Sequence, residues 1–209
     1  MDQSNPKSSR ASHLEKTRKM AGLAILSAII VVLQIVSNFV KFGPVNMTLA
    51  LAPLIIGAAI YGKSSGAILG FVLGFVVLLS GIFGWDGGFV MMLMPQNAFA
   101  TILICLVKTT VAGFVAGWVY ELIAKKHPLG GIITAGILCP LINTALFVLG
   151  MVVFFMSTLE GAAGGETVLY YIIFVLAGVN FLVELAVNMV LASGITRIIA
   201  AGKNRSING

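Results

Sequence analysis

The sequence predicts an all-α membrane protein: one bundle of six transmembrane helices with both termini on the cytoplasmic side. Three observations carry that reading. The 209 residues are 59% hydrophobic and only 10% charged, with a mean hydropathy of +1.06, which leaves too little polar surface for a soluble domain of this size. The apolar residues gather into six runs that cross, or nearly cross, a ~30 Å hydrocarbon layer. Eleven of the 13 lysines and arginines fall where this topology puts the cytoplasm, as the bias of basic residues toward inner loops requires.

Each element follows from local pattern. Residues 1–19 are polar and basic and read as a flexible cytoplasmic tail. The apolar run after them is too long for a signal-peptide core and carries no small-residue cleavage site. The first span, 20–40, contains Ala24 and Ala28, a small-x-x-x-small face. The second, 48–61, is short, about 21 Å of helix at ~1.5 Å per residue. Gly62-Lys63-Ser64-Ser65 then punctuates a hairpin into the third span, 66–83, where Gly66, Gly70 and Gly74 recur in step and open a smooth groove. Residues 84–95 are apolar but broken by glycines and closed by Pro95, and read as a non-helical loop. The fourth span, 96–124, ends at Lys125-Lys126-His127-Pro128. The fifth, 131–156, holds Pro140 and Asn143. A small acidic loop, 157–166, leads to the sixth span, 167–200, and a polar tail, 201–209. The domain division is therefore a basic tail over 1–19, a six-helix transmembrane domain over 20–200, and a tail over 201–209.

Catalytic chemistry has little to work with. No paired carboxylates, histidine cluster or Ser/His/Asp set lies at one depth, so no catalytic residue, metal site or cofactor is expected. Cys105 and Cys139 sit inside apolar runs as small packing residues, without metal-ligand or redox spacing. The basic balance serves topology and does not indicate nucleic acid.

The polar groups inside the apolar spans are the informative ones. Lys108 lies about 18 Å down the fourth span, near the midplane, with Asn143 at similar depth. Asn180, Glu184 and Asn188 follow at i, i+4, i+8, one stripe of one helix. An intramembrane charge needs a partner or a watery cavity. Lys108 thus either pairs with Glu184 or faces an anionic ligand with the asparagines as donors, while Glu184 and Asn188 suit a structural role. A second group lies at the outer rim: Asn46, Trp85, Asp86, Gln96 and Asn97. It reads as a lid over a pocket or as an interfacial tryptophan anchor with loop polar groups. Met91, Met92 and Met94 form a soft apolar surface nearby.

Taken together, the residues quoted above resemble the substrate-binding S components of energy-coupling factor (ECF) vitamin transporters. The likeness is most specific over residues 21–75. The first span has the family's small-residue motif as Ala24-Ile25-Leu26-Ser27-Ala28. After it comes LALAPLIIGAAIYGKSSGAILGFVLG, similar to the family's proline-containing helix, Tyr-Gly turn and Gly/Ala-rich third helix. The resemblance implies a bacterial cell-membrane subunit, not an enzyme. Such a subunit binds a vitamin from outside, closes its outer loops over it, and topples against a transmembrane coupling subunit driven by two ATPase subunits. The chain has no G-x-x-x-x-G-K-[ST] phosphate loop, so ATP hydrolysis falls to those partners.

On that reading the substrate-binding candidates are Asn46, Trp85, Asp86, Gln96, Asn97, Lys108, Asn143, Asn180 and Glu184. Candidate docking surfaces for the coupling subunit are Ala24 and Ala28, and Gly66, Gly70 and Gly74. Packing inside the chain is the other reading of both sets; the alanines favour docking and the glycines internal packing. Lys108 with several amides suits a carboxylate-bearing vitamin such as pantothenate or lipoate, and the Trp85 rim also tolerates a ring, as in riboflavin or folate. A stand-alone small-solute transporter or channel is the alternative, and it needs a polar stripe through the full membrane depth.

Overall fold

The computed structural model describes residues 6–39, 41–42, 45–46, 48–178 and 181–190, with side chains from 13 onward except around 40–47 and 175–177. Helix α1, Pro6–Ser37, starts much earlier than the expected span at 20. The flexible tail reading is thus corrected: Pro6 suits a first helical position, and the Lys, Arg, Glu and Ala residues after it favour helix. A two-residue antiparallel pairing follows, β1 (Lys41–Phe42) with β2 (Val45–Asn46), Lys41 opposite Asn46. Helix α2, Leu51–Tyr61, is short and largely buried.

Gly62 separates α2 from α3, Lys63–Ile82, with φ at +89°, a conformation L side chains rarely adopt. Because one residue suffices for the break, α3 begins at Lys63 and not at 66. Glu121 of α5 secures the corner: its carboxylate accepts the Lys63 N–H at 2.9 Å and lies 3.7 Å from the Lys63 ammonium. The loop expected at 84–95 contains a short helix, α4 (Phe89–Leu93). Asp86 makes it possible, accepting the Gly88 and Val90 N–H groups at 2.8 Å each, the orphan donors of a helix start.

Helix α5, Ala98–Ile123, is capped by Asn97, whose side chain accepts the Ala100 N–H at 3.0 Å. Helix α6, Pro128–Phe154, opens on proline and carries Pro140 inside. The expected acidic loop is also partly helical, as α7 (Met156–Ala163). A single turn, α8 (Val168–Tyr170), then runs into a π-helix, Tyr171–Gly178, and α9 spans Phe181–Val190. Where a continuous sixth span is expected, the described part is a helix interrupted by wide π turns.

Helices α1, α3, α5 and α6 each contain a stretch long and apolar enough to cross a membrane; α2 and α9 are shorter apolar helices. Helix α3 is central, with half of its apolar window buried in the chain, against 17% for α1. The α3–α5 pairing is the most extensive, and glycines allow it. A Cβ at Gly70 would meet the Thr109 carbonyl oxygen, and one at Gly74 would meet that of Cys105. The groove of Gly66, Gly70 and Gly74 is therefore filled by α5 and offers no outer docking face. Ala24 and Ala28 are exposed on α1.

The core has two main centres. One joins α1, α2, α3, α5 and α6 through Ile30, Leu54, Leu69, Ala112 and Ala135. The other joins α4 to α7 and the π-helix through Leu93, Phe147, Met151, Phe155 and Leu159.

Candidate functional site

Beside the second centre, which lends it Leu93, Ile104 and Phe147, lies a partly open cavity of about 60 Å³. Its polar wall is built by four elements. Helix α1 contributes Gln34 and the turn that follows it Asn38, the segment before α2 Thr48, and α5 Thr101, Lys108 and Thr109; Asp86 stands at the α4 side. The apolar wall is Val77, Phe89, Val90, Leu93, Ile104 and Phe147. Gln34 and Asn38 are one helical turn apart and both buried, so the end of α1 and the turn after it face two amides inward. The Gln34 side-chain oxygen has no hydrogen-bond partner among the described residues, and a buried amide without a partner costs free energy. Thr109 is instead satisfied within its own helix, bonding the Cys105 and Leu106 carbonyls at 3.3 Å.

The ammonium of Lys108 lies over the Phe147 ring, 4.7 Å from its centroid, a cation–π contact that holds a charge beside an apolar wall. The Lys108 stem also borders a groove on the outer face of α5 and α6. Among the described residues no carboxylate approaches Lys108 to ion-pair distance. The expected Lys108–Glu184 pair is therefore absent there. Glu184, buried on α9, accepts the Thr48 N–H at 2.7 Å. Ser37 joins it, its hydroxyl accepting the Leu49 N–H at 3.2 Å. Together they tie the chain just before α2 to α1 and α9.

The other expected site residues are dispersed. Trp85 is 53% exposed and rests on Phe83, ring centroids 5.6 Å apart. Gln96 is exposed and accepts the Thr158 hydroxyl at 2.6 Å, linking the start of α5 to α7. Asn97 is consumed as a helix cap. Asn143 is buried on α6 outside the cavity lining, its side-chain oxygen without a partner among the described residues. Asn180 and the Asn46 side chain lie outside the described residues. Of the nine expected ligand contacts, Lys108 and Asp86 line the cavity. Five further polar residues of the lining, Gln34, Asn38, Thr48, Thr101 and Thr109, were not among those expected. The signal for the first two was present, a polar i, i+4 pair in an apolar helix, the same pattern noted in the sixth span.

A bundle of membrane-length apolar helices around a small cavity of mixed polarity defines an integral membrane protein. The chain belongs to the family of ECF transporter substrate-specific components, whose family model matches residues 18–196. It is a multi-pass protein of the bacterial cell membrane and a transporter component. It is 27% identical over 202 residues to the pantothenic acid transporter PanT of Lactococcus lactis subsp. cremoris (strain MG1363), a match that covers 91% of this chain and 98% of that protein.

Proposed function

We propose that this chain is the substrate-binding subunit of a vitamin-uptake system and that its ligand is a small carboxylate-bearing vitamin, pantothenate first among them. One observation carries the reading: a partly open cavity sets a lysine, two amides and three threonine hydroxyls against an apolar wall, while Asp86 in the same lining spends its carboxylate on the Gly88 and Val90 N–H groups. Pantothenate has a carboxylate for Lys108, an amide and two hydroxyls for Gln34, Asn38 and the threonines, and a gem-dimethyl group for Leu93 and Phe147. The name of the Lactococcus relative points the same way. Lipoate shares the carboxylate but lacks the hydroxyls. Riboflavin and folate bring large rings that this cavity suits less well. At about 60 Å³ the cavity admits only a few waters, each needing ~10–15 Å³, so ligand uptake requires side chains of its wall to move.

In this reading six segments cross the membrane: α1, α2, α3, α5, α6 and the segment from α8 through α9 toward residue 200. Both termini lie inside, with the cavity in the outer half beneath α4. The domain spans 20–200, and the helical extension of α1 over its basic residues lies on the cytoplasmic side. A transmembrane coupling subunit with two ATPase subunits drives release, and Ala24 and Ala28 form its contact. They are exposed beside Ile25 and Ile29 on the helix least covered by the rest of the chain, and small residues permit close helix approach. A channel is disfavoured because Leu54, Leu69, Ala112 and Ala135 pack a buried apolar cluster in the bundle, where a conducting path needs polar lining.

Native mass spectrometry of the detergent-purified chain tests the proposal. A bound mass equal to pantothenate, and co-purification of a membrane subunit with two ATPases, are the expected results. An empty chain that takes up no added pantothenate and draws down no such subunits contradicts it.

A further inference from the structure

The Lys108 cavity has a neighbour. A more open hollow of about 370 Å³ lies on the other side of α4, walled by Gly88, Met92, Met151, Thr158, Leu159 and Tyr171 among others. Among the described residues, Phe89 alone lines both spaces. Its ring is half-buried and meets Phe147 in a tilted contact, centroids 5.9 Å apart. Phe147 in turn carries the Lys108 ammonium.

The backbone under Phe89 is held while its side chain has room. Asp86 fixes the Gly88 and Val90 N–H groups, and Val90 and Leu93 are buried anchors on the same short helix. Gly87 and Gly88, at φ +85° and +88°, turn the chain sharply just before the ring. Space exists on both faces of Phe89, so a change of side-chain rotamer connects the two without unfolding α4.

We infer that Phe89 is the gate of the Lys108 cavity and that the hollow between α4 and α7 is the vestibule where an incoming ligand first rests. This rests on the cavity being the ligand site. The vestibule suits a small amphipathic solute: methionine and tyrosine side chains form its walls, with the Thr158 hydroxyl oxygen as a polar point. A gate residue sets how fast the cavity fills and empties and has little effect on how tightly it holds.

Two readouts separate this gate from the vitamin reading. Cys105 lines the inner cavity and is buried, so its reaction with methyl methanethiosulfonate in a Cys139→Ala chain reports access without any ligand. Phe89→Ala should speed that reaction by about tenfold and Phe89→Trp should slow it. Phe83→Ala, an exposed aromatic of the same loop lining neither space, should leave it unchanged. Equal rates in parent, Phe89→Ala and Phe89→Trp overturn the gate, as does equal acceleration by Phe83→Ala. With radiolabelled pantothenate, Phe89→Ala should raise association and dissociation rates together and leave Kd nearly constant. Faster dissociation with unchanged association makes Phe89 a wall and overturns the gate. A parent chain that binds no pantothenate, with the Cys105 rates still following Phe89, contradicts the vitamin reading and upholds the gate.

Discussion

Gly66 on α3 and Gly113 on α5 meet backbone to backbone: a Cβ added to either would fall on the other's carbonyl oxygen. Neither carbonyl can yield without moving its helix, so these glycines set the spacing that brings Lys108, Thr109 and Thr101 to the cavity. Gly66→Ala and Gly113→Ala should each destabilise the chain by ~1–3 kcal/mol, the usual cost of overpacking. Gly161→Ala on α7, where a Cβ meets nothing within 4 Å, should be near neutral. Thermal unfolding in one detergent compares the three.

Glu184 separates an anchoring role from a ligand role. Glu184→Ala leaves the Thr48 N–H without its acceptor and should cost ~1–3 kcal/mol, the penalty for an orphaned, partly buried donor. Glu184→Gln keeps a carbonyl oxygen for that bond and should restore most of the stability. Pantothenate affinity in the Gln variant should match the parent's, measured by equilibrium binding. A large loss there with stability intact would return Glu184 to the ligand.

The cavity lining and the outer rim make opposite predictions. Gln34→Ala removes a buried amide that faces the cavity and should weaken pantothenate binding about tenfold, one hydrogen bond's worth. Trp85→Ala and Gln96→Ala should leave affinity unchanged, because the indole rests on Phe83 and the amide on Thr158. Scintillation binding on the three purified variants distinguishes these outcomes.

The contrast between Gln34 and Trp85 shows what was legible in the sequence. The apolar runs of α3, α5 and α6 declare themselves by length and composition, and Gly62 marks the α2–α3 corner because a positive φ selects glycine. Lys108 was legible as a charge at depth. Gln34 and Asn38 were equally visible as an i, i+4 pair, but their value depends on which face α1 turns inward, a property of packing. Trp85 and Gln96 stand outside this cavity's lining and have local partners, Phe83 and Thr158, which a rim position in sequence does not reveal. Helices α4 and α7 were hidden because their order comes from Asp86 as a cap and from packing on Phe147 and Met151, and neither shows in local propensity. The Lys108–Glu184 pair failed for a related reason: a backbone N–H, which no side-chain pattern records, was the nearer partner.

The central claim is that Lys108 receives the carboxylate of the ligand. It is tested most directly by a binding cycle with pantothenate and pantothenol, which differ only in carboxylate against alcohol, on the parent and Lys108→Gln chains. The parent should prefer pantothenate by at least ~30-fold, about 2 kcal/mol for a desolvated charge pair, and Lys108→Gln should lose that preference. A parent that binds both alike, or a Lys108→Gln chain that keeps the preference, would contradict it.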